Sequence, residues 1–394
     1  MSLVLVSQFL VTLLLLVPTV VLAIQLLSAR RRAPVQSPIA SERMRTAVLV
    51  PAHNEAAGIA VTLRALSAQL TSCDRLVVVA DNCSDRTAQV ALDEGAEVLV
   101  RTDAKLRGKG YALDFGVRHL ASDPPQILMV VDADCIAHPG TIDALAAECA
   151  AFHQPAQALN LMQAGGTSLG PRMAEFAWRV RNQVRPLGWQ RWGGPCQLMG
   201  TGMAFPWRLI NGSSLATGNL AEDMQLGIDL ALRGHPARFT PAAQVTSCFP
   251  NTNAAARAQR TRWEHGHMSL LLNAVPRLLL ASIQHRRWIL FAMALDLMVP
   301  PLALLTLLVA GVATLNFSIA GLLLGNWLLP FLSALTLLLL ALSVAIAWAR
   351  FGRDVVSHWE LLSVPWYVLS KLSIYAGFML RRQKSWVRTK RDGE

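Results

Sequence analysis

The chain has 394 residues, of which 53% are hydrophobic and only 15% charged, with a formal net charge of +11. That balance is too apolar for a soluble enzyme of this size and fits a soluble domain joined to membrane segments. The basic clusters flank apolar runs, so the charge points to orientation in a bilayer and away from nucleic acid.

Leu3 to Leu27 is one apolar run followed by Arg30, Arg31 and Arg32. No basic stretch precedes it and no small-x-small cleavage site stands out, so it reads as a spanning helix over residues 1–27 and not as a signal peptide. The arginines after it place residues 28–45 on the cytoplasmic side as a basic linker.

Residues 46–250 alternate short β runs with helical stretches. Strands are predicted at Thr46 to Val50, Arg75 to Ala80, Glu97 to Arg101 and Ile127 to Val131. Helices are predicted at Ala57 to Leu70, Ser84 to Glu94 and Tyr111 to Leu120. Runs of consecutive apolar residues such as Ile127-Leu128-Met129-Val130 typify strands covered on both faces. The β-α-β-α order implies an α/β domain with a Rossmann-like, mostly parallel sheet and helices on both sides.

In such sheets ligands bind beyond the carboxyl ends of the strands. Three polar clusters stand there: Pro51-Ala52-His53-Asn54-Glu55, Asp81-Asn82-Cys83-Ser84-Asp85 and Asp132-Ala133-Asp134. There is no GxGxxG after the first strand and no phosphate loop ending in Gly-Lys-Ser/Thr, which sets aside ordinary dinucleotide dehydrogenases and P-loop enzymes. Asp132 and Asp134, one residue apart at a strand end, suit a divalent cation that would neutralise a departing diphosphate. The bland alternative is a pair of solvated aspartates. Asp81 is expected as an exposed carboxylate that accepts a hydrogen bond from a base or ribose, while Ser84 or Asp85 caps the next helix.

Lys105-Leu106-Arg107-Gly108-Lys109-Gly110 is a basic, glycine-rich loop suited to phosphates, or else a solvated turn. The six cysteines, at 73, 83, 135, 149, 196 and 248, form no Cys-x-x-Cys pair and read as free thiols. Arg172 to Trp192 is amphipathic. Phe176, Val180, Val184 and Leu187 form its apolar stripe, with Arg172, Arg179, Arg181 and Arg185 elsewhere, as expected of a helix lying on a membrane.

Glu222-Asp223 opens a helix running to Leu232, with Gly234 as its cap. Asp223 there is either a simple capping carboxylate or a general base that takes a proton from an acceptor hydroxyl. Gln259, Arg262 and Trp263 share one helical face, pairing a cation with an indole. That combination suits a diphosphate beside a sugar ring, and equally the headgroup level of a membrane.

Further along, Trp288 to Leu315, kinked at Pro300-Pro301, and Ile319 to Ala349 are the next candidate spans, joined by a short outside turn at Asn316 to Ser318. Leu361 to Leu380 has basic residues on both sides and is expected to lie in the interface or re-enter.

The motifs Val50-Pro51-Ala52-His53-Asn54-Glu55, Asp81-Asn82-Cys83-Ser84-Asp85, Asp132-Ala133-Asp134, Glu222-Asp223 and Gln259-Arg260-Thr261-Arg262-Trp263 occur in one order over roughly residues 46–267. In this the chain resembles the family 2 glycosyltransferases, in particular the membrane-integrated branch that includes cellulose synthase and hyaluronan synthase. The resemblance implies a GT-A fold and an inverting hexosyltransferase that uses a divalent metal, Mn²⁺ or Mg²⁺. It implies a nucleotide-diphosphate sugar, foremost a UDP-sugar, as donor and a lipid-linked or polysaccharide acceptor at the membrane. Asp81 would bind the base, Pro51, His53 and Glu55 would line the nucleotide pocket, and Asp132 would contact the donor, with Lys109 at its phosphates. Asp134, with Asp132, would hold the metal. Asp223 would be the catalytic base. Glu222, Gln259, Arg262 and Trp263, with Gly200 and Thr201, would face the diphosphate and acceptor.

There are departures from the family pattern. Fewer membrane helices are expected than in the synthases. Met199-Gly200-Thr201-Gly202 stands where the family often has Cys-Gly-Ser/Thr-Asn. In size the chain is nearer to transferases of exopolysaccharide assembly or to those that glucosylate ceramide or hopanoid lipids. A non-catalytic membrane scaffold of the same fold would be expected to have lost acidic residues, yet Asp81, Asp132, Asp134 and Asp223 are all present. The expected organisation is a catalytic domain over 46–250, an interfacial helix over 251–285 and two spans over 286–350. An interfacial or re-entrant helix with a basic tail follows over 351–394. The expected location is the bacterial inner membrane with the catalytic domain cytoplasmic.

Overall fold

Runs of branched apolar residues set the positions of the central strands, and short polar or glycine-containing stretches break them. In the computed structural model, which describes residues 3–30, 43–166, 168–217, 221–250, 252–320 and 327–380, the chain opens with α1 (Leu3–Ser28). It continues through β1 (Thr46–Ala52), α2 (Ile59–Ser67), β2 (Arg75–Asp81), α3 (Thr87–Asp93), β3 (Glu97–Arg101), α4 (Lys109–Leu120) and β4 (Ile127–Val130). Next come β5 (Ile136–Ala137), α5 (Thr141–Phe152), β6 (Ala156–Gln163), α6 (Leu169–Arg179), a π-helical turn at Val180–Val184 and α7 (Arg185–Gln190). β7 (Met203–Pro206), α8 (Trp207–Ile210), α9 (Glu222–Leu232) and β8 (Arg238–Cys248) follow. The last part is helical: α10 (Asn253–Gln284), α11 (Trp288–Met298), α12 (Leu302–Ile319), α13 (Leu328–Phe351), α14 (Val364–Ser370) and α15 (Leu372–Leu380).

The chain divides into two compact units. Within the described residues, one comprises 43–165 and 195–262, and the other 3–30, 166–194 and 263–380. The first contains an eight-stranded sheet in the order β3-β2-β1-β4-β7-β6-β8-β5. The β3-β2-β1-β4 half is wholly parallel, as the β-α-β-α pattern predicts. Beyond it the sheet is mixed: β7 runs antiparallel to both β4 and β6, and β5 antiparallel to β8, while β6 and β8 are parallel. The sheet is therefore less uniformly parallel than expected.

Alternation along the strands divides the core between the two faces of the sheet, because successive side chains point to opposite sides. Val48, Val50, Val78 and Met129 pack with Ile59, Leu63 and Leu66 of α2 and with Leu145 of α5. Ala47, Leu49, Val77, Val79 and Leu128 pack with Leu113, Val117 and Leu120 of α4 and with Leu226 and Leu230 of α9. Both faces are covered, so the polar residues gather at the strand ends.

The second unit is built around α1, α12 and α13. Among the described residues of the whole chain, four helical stretches are long and apolar enough to cross a membrane: Leu5–Ser28, Ala254–Gln284, Leu302–Ile319 and Leu328–Phe351. The segment expected as one span from Trp288 to Leu315 is two helices, α11 and α12, separated at Val299-Pro300-Pro301. Asn316 to Ser318, expected as a turn, lie inside α12. The reason is a polar contact within the unit: Asn316 is buried and its amide donates to the Thr12 hydroxyl of α1 at 3.1 Å. The next helix starts at Leu328, not near Ile319, and residues 321–326 fall outside the described set. Arg31, Arg32 and the basic tail from Arg381 also lie outside it.

Arg185, placed by the sequence off the apolar stripe of a membrane-surface helix, is buried. Its guanidinium donates to Gln25 Oε1 at 2.8 Å and to Asp296 Oδ1 at 2.9 Å, and the Gln25 amide donates to the same Asp296 oxygen at 2.7 Å. A charge in apolar surroundings persists only where such partners satisfy it. Met173, Phe176, Val180 and Val184 of the same segment join the apolar core with Leu22 and Leu26 of α1.

Candidate active site

The carboxyl ends of β1 and β2 are laced together by side chains. His53 Nδ1 lies 2.6 Å from the Asp81 carbonyl oxygen. Asn54 donates to the Ser84 hydroxyl at 3.0 Å and accepts the Ser84 amide at 2.7 Å. The Glu55 amide donates to the Thr87 hydroxyl at 2.8 Å, and Asp85 accepts the Thr87 amide at 3.0 Å, so Asp85 holds the first turn of α3. Pro51 is a strand residue paired with Val79. These contacts set Pro51, His53 and Glu55 along one rim of the sheet.

Asp81 is not the exposed carboxylate that the sequence suggests. It is 6% exposed, and its Oδ1 accepts Arg101 Nη1 at 2.6 Å and the Asn82 amide at 3.0 Å. Asp81 and Arg101 are register partners on parallel strands β2 and β3. Arg101 also donates to the Leu106 carbonyl at 2.9 Å and so ties the strand ends to the loop that follows. That loop turns on Asp103, whose Oδ1 accepts the amides of Lys105 and Leu106, each at 2.9 Å. These amides, with Arg101 near by, hold the Asp103 carboxyl below its usual range. Arg101 was not singled out from the sequence. Its only signal was a charge closing an apolar strand.

Within the basic loop, Lys105 and Arg107 are exposed while Lys109 turns inward. Lys109 forms an ion pair with Asp132 and donates to the Gly200 carbonyl at 2.7 Å. Burial opposes its charge, but Asp132, Glu222 and Asp223 together hold the ammonium above the usual lysine range. Asp132 in turn has its amide on the Thr201 hydroxyl at 3.0 Å. Burial pushes the Asp132 carboxyl up, Lys109 opposes this, and Asp134 adds to it.

The loop carrying Gly200 and Thr201 is fixed from β6. Gln157 accepts the Met199 amide at 2.8 Å and donates to the Thr201 carbonyl at 2.9 Å, and Asn160 donates to the Met199 carbonyl at 3.2 Å. Gly200 takes a φ of +84°, in the left-handed region that favours glycine. A Cβ there would lie 3.3 Å from Asp223 Oδ2 and 3.7 Å from Lys109 Nζ. Asp223 and Lys109 therefore both approach the same glycine.

Glu222 and Asp223 occupy the first turn of α9, where the helix dipole favours carboxylates. Glu222 Oε2 accepts the Gly110 amide of α4 at 3.0 Å. Burial, aided by the neighbouring Asp223 and opposed by Lys109, pushes the Glu222 carboxyl up to about 7. Lys109, Asp132, Gly200, Thr201, Glu222 and Asp223 thus come together from α4, the end of β4, the loop before β7 and α9, with Asp134 beside Asp132. Gln259 and Arg262 lie half-buried on α10 within the same unit. Trp263, next along α10, belongs to the other unit, where its ring lies tilted at 40° to that of Trp178, with centroids 4.7 Å apart.

With this arrangement established, comparison with known proteins is decisive. Residues 44–266, more than half of the chain, match the family described as "Glycosyltransferase like family 2". The chain belongs to the family 2 glycosyltransferases. It is 28% identical over 259 residues, 59% of this chain, to a Bacillus subtilis (strain 168) protein described as "Probable glycosyltransferase YdaM". It is 35% identical over 96 residues, 24% of this chain, to the uncharacterized protein MJ1222 of Methanocaldococcus jannaschii. It covers 57% and 38% of those relatives' own lengths, so the chain spans about half the length or less of the curated relatives it matches. Among solved structures it is similar to the mannosyltransferase PcManGT of Pyrobaculum calidifontis in complex with GDP-Man and Mn²⁺. The TM-score is 0.56 and the identity 17%, and the match covers 96% of this chain and 97% of that one. That likeness supports the GT-A fold.

The donor set of this glycosyltransferase fits a hard divalent cation in part. Ligand atoms of Asp132, Asp134 and Cys135 lie within 4.8 Å of one another. Two carboxylates at that spacing suit Mn²⁺ or Mg²⁺, which prefer oxygen. Cys135 does not. Burial, with Asp134 and Asp132 near by, raises its thiol well above the usual range, and the thiol faces Asp134 Oδ1 at 3.5 Å. The pair Asp132 and Asp134 is the fitting part of the set.

Proposed function

We propose that this glycosyltransferase transfers a sugar from a nucleoside diphosphate sugar to a membrane-associated hydroxyl acceptor, in one displacement with inversion. The observation that carries this reading is the approach of both Lys109 and Asp223 to Gly200, with Asp132 on the same ammonium. It sets a cation for a departing diphosphate beside a carboxylate for an arriving hydroxyl.

Asp223 takes the proton as the acceptor oxygen bonds to the anomeric carbon, while the bond from that carbon to the diphosphate oxygen breaks. The nucleoside diphosphate leaves with the electron pair, and Lys109 stabilises its charge. A divalent cation, Mn²⁺ or Mg²⁺, on Asp132 and Asp134 would supply further positive charge to that leaving group. Pro51, His53, Glu55 and Asp81 form the nucleotide side. Because Asp81 is bound to Arg101, it recognises the base as one half of an ion pair. Glu222, Gly200 and Thr201 shape the acceptor side, and Gln259 and Arg262, of the same unit, join it on the strength of their motif. The PcManGT complex with GDP-Man and Mn²⁺ supports a nucleotide sugar and a metal in this fold.

The four apolar helices support an acceptor held at a membrane, and the arginines after α1 support a cytoplasmic catalytic unit in a bacterial inner membrane. The test is a screen of the purified protein in detergent against labelled UDP- and GDP-sugars, with lipid extracts as acceptors. Transfer to a lipid fraction is the expected result. Hydrolysis without transfer to any lipid or saccharide would refute the acceptor assignment, and no turnover of any donor would refute the whole reading.

A further inference from the structure

We propose that Lys109 is a built-in counter-cation for the Asp132–Asp134 pair, which a divalent cation must displace, and that a nucleoside diphosphate eases this exchange by taking the ammonium. The proposal rests on the reading of Asp132 and Asp134 as the cation site. Lys109 Nζ already sits on Asp132, one of the two carboxylates that cation would need, and it also donates to the Gly200 carbonyl. Asp132 and Asp134 come within 4.8 Å of each other, so a cation shared between them would meet the ammonium at short range. Like charges repel strongly at such distances in a partly desolvated site.

A cation arriving alone must therefore displace Lys109 without offering it another anion. A cation arriving with a diphosphate brings that anion. Metal and donor should then bind cooperatively, each tightening the other by the same factor. The exchange also frees the Gly200 carbonyl, so that occupation of the cation site is felt beside Asp223.

The experiment measures Mn²⁺ binding to the full-length protein in detergent, without nucleotide, by the loss of the free Mn²⁺ electron paramagnetic resonance signal. Lys109→Met should bind Mn²⁺ at least about tenfold tighter than the wild type, because the competing charge is gone. Lys109→Arg, which keeps a cation, should stay near the wild type. Equal or weaker binding by a folded Lys109→Met protein overturns the proposal. If Lys109→Met/Asp132→Asn binds as tightly as Lys109→Met, Asp132 is not a ligand and the site reading itself fails. A second measurement needs no substitution: acylation of Lys109 by an N-hydroxysuccinimide ester, followed by mass spectrometry at Mg²⁺ concentrations that displace bound Mn²⁺. Faster acylation of Lys109 with Mg²⁺ supports the exchange, and an unchanged rate refutes it.

Discussion

The amide of Gly110 donates to the Glu222 carboxylate at 3.0 Å, joining the first turn of α4 to the first turn of α9 across 112 residues of chain. The close approach depends on the missing side chain. A Cβ at Gly110 would collide with the Leu215 carbonyl oxygen and meet Glu222 Oε2 at 3.0 Å. Backbone on one side and a half-buried, hydrogen-bonded carboxylate on the other leave no freely moving neighbour to give way. Gly110→Ala is therefore expected to cost about 1–3 kcal/mol and to move Lys109 off Asp132 and Gly200. Urea unfolding gives the first quantity. A loss of transfer larger than the loss of folded protein reports the second.

Glu222 gives the catalytic unit a pH dependence whose sign is fixed. Its folded carboxyl is pushed up to about 7 from an ordinary 4.5, so between these values the folded state binds more protons than the unfolded one. Its contribution to stability is complete below pH 4.5, declines as pH rises, and is lost above about pH 7. Glu222→Gln, which stays neutral, should lose less stability than the wild type over this interval. Parallel unfolding curves at a series of pH values check this, and identical slopes for the two proteins would refute it.

Asp223→Asn keeps the shape of the α9 terminus and removes the base. Donor binding should change little, while transfer falls by about 10²- to 10⁴-fold, the usual worth of a positioned general base. Equilibrium binding of the donor and single-turnover transfer separate the two effects. Turnover close to the wild-type rate would remove Asp223 from the mechanism.

In the apolar unit, Asp296→Leu strands Arg185 without its carboxylate, with a cost of about 3–5 kcal/mol expected for breaking a buried pair. Replacing both partners, as Arg185→Met with Asp296→Leu, should recover most of that loss, because no uncompensated charge remains. Thermal unfolding in detergent distinguishes the single from the double variant.

The parallel half of the sheet was legible in the sequence because its strands are apolar without interruption and its helices are punctuated by polar turns. β1, β2, β3 and β4 lie within one or two residues of their expected ends. β6 was not legible, since Ala156-Gln157-Ala158-Leu159-Asn160 interleaves amides with small residues. Those amides turn out to hold the Met199–Thr201 loop. The burial of Asp81 was hidden for a different reason. Its partner Arg101 lies 20 residues on, and only the β2–β3 register brings the two level. Asn316 misled in the opposite direction: a polar residue in an apolar run reads as a turn unless the Thr12 hydroxyl on a helix 304 residues away is known.

The Gln25–Arg185–Asp296 network also bears on the order in which the protein is made. Gln25 leaves the ribosome 271 residues before Asp296, and Arg185 leaves it 111 residues before. Throughout that interval the guanidinium must be stabilised by water or lipid phosphate. Once α11 has been synthesised, its aspartate can draw α1 and α7 into register. A polypeptide released before α11 would leave the Arg185 charge without its carboxylate.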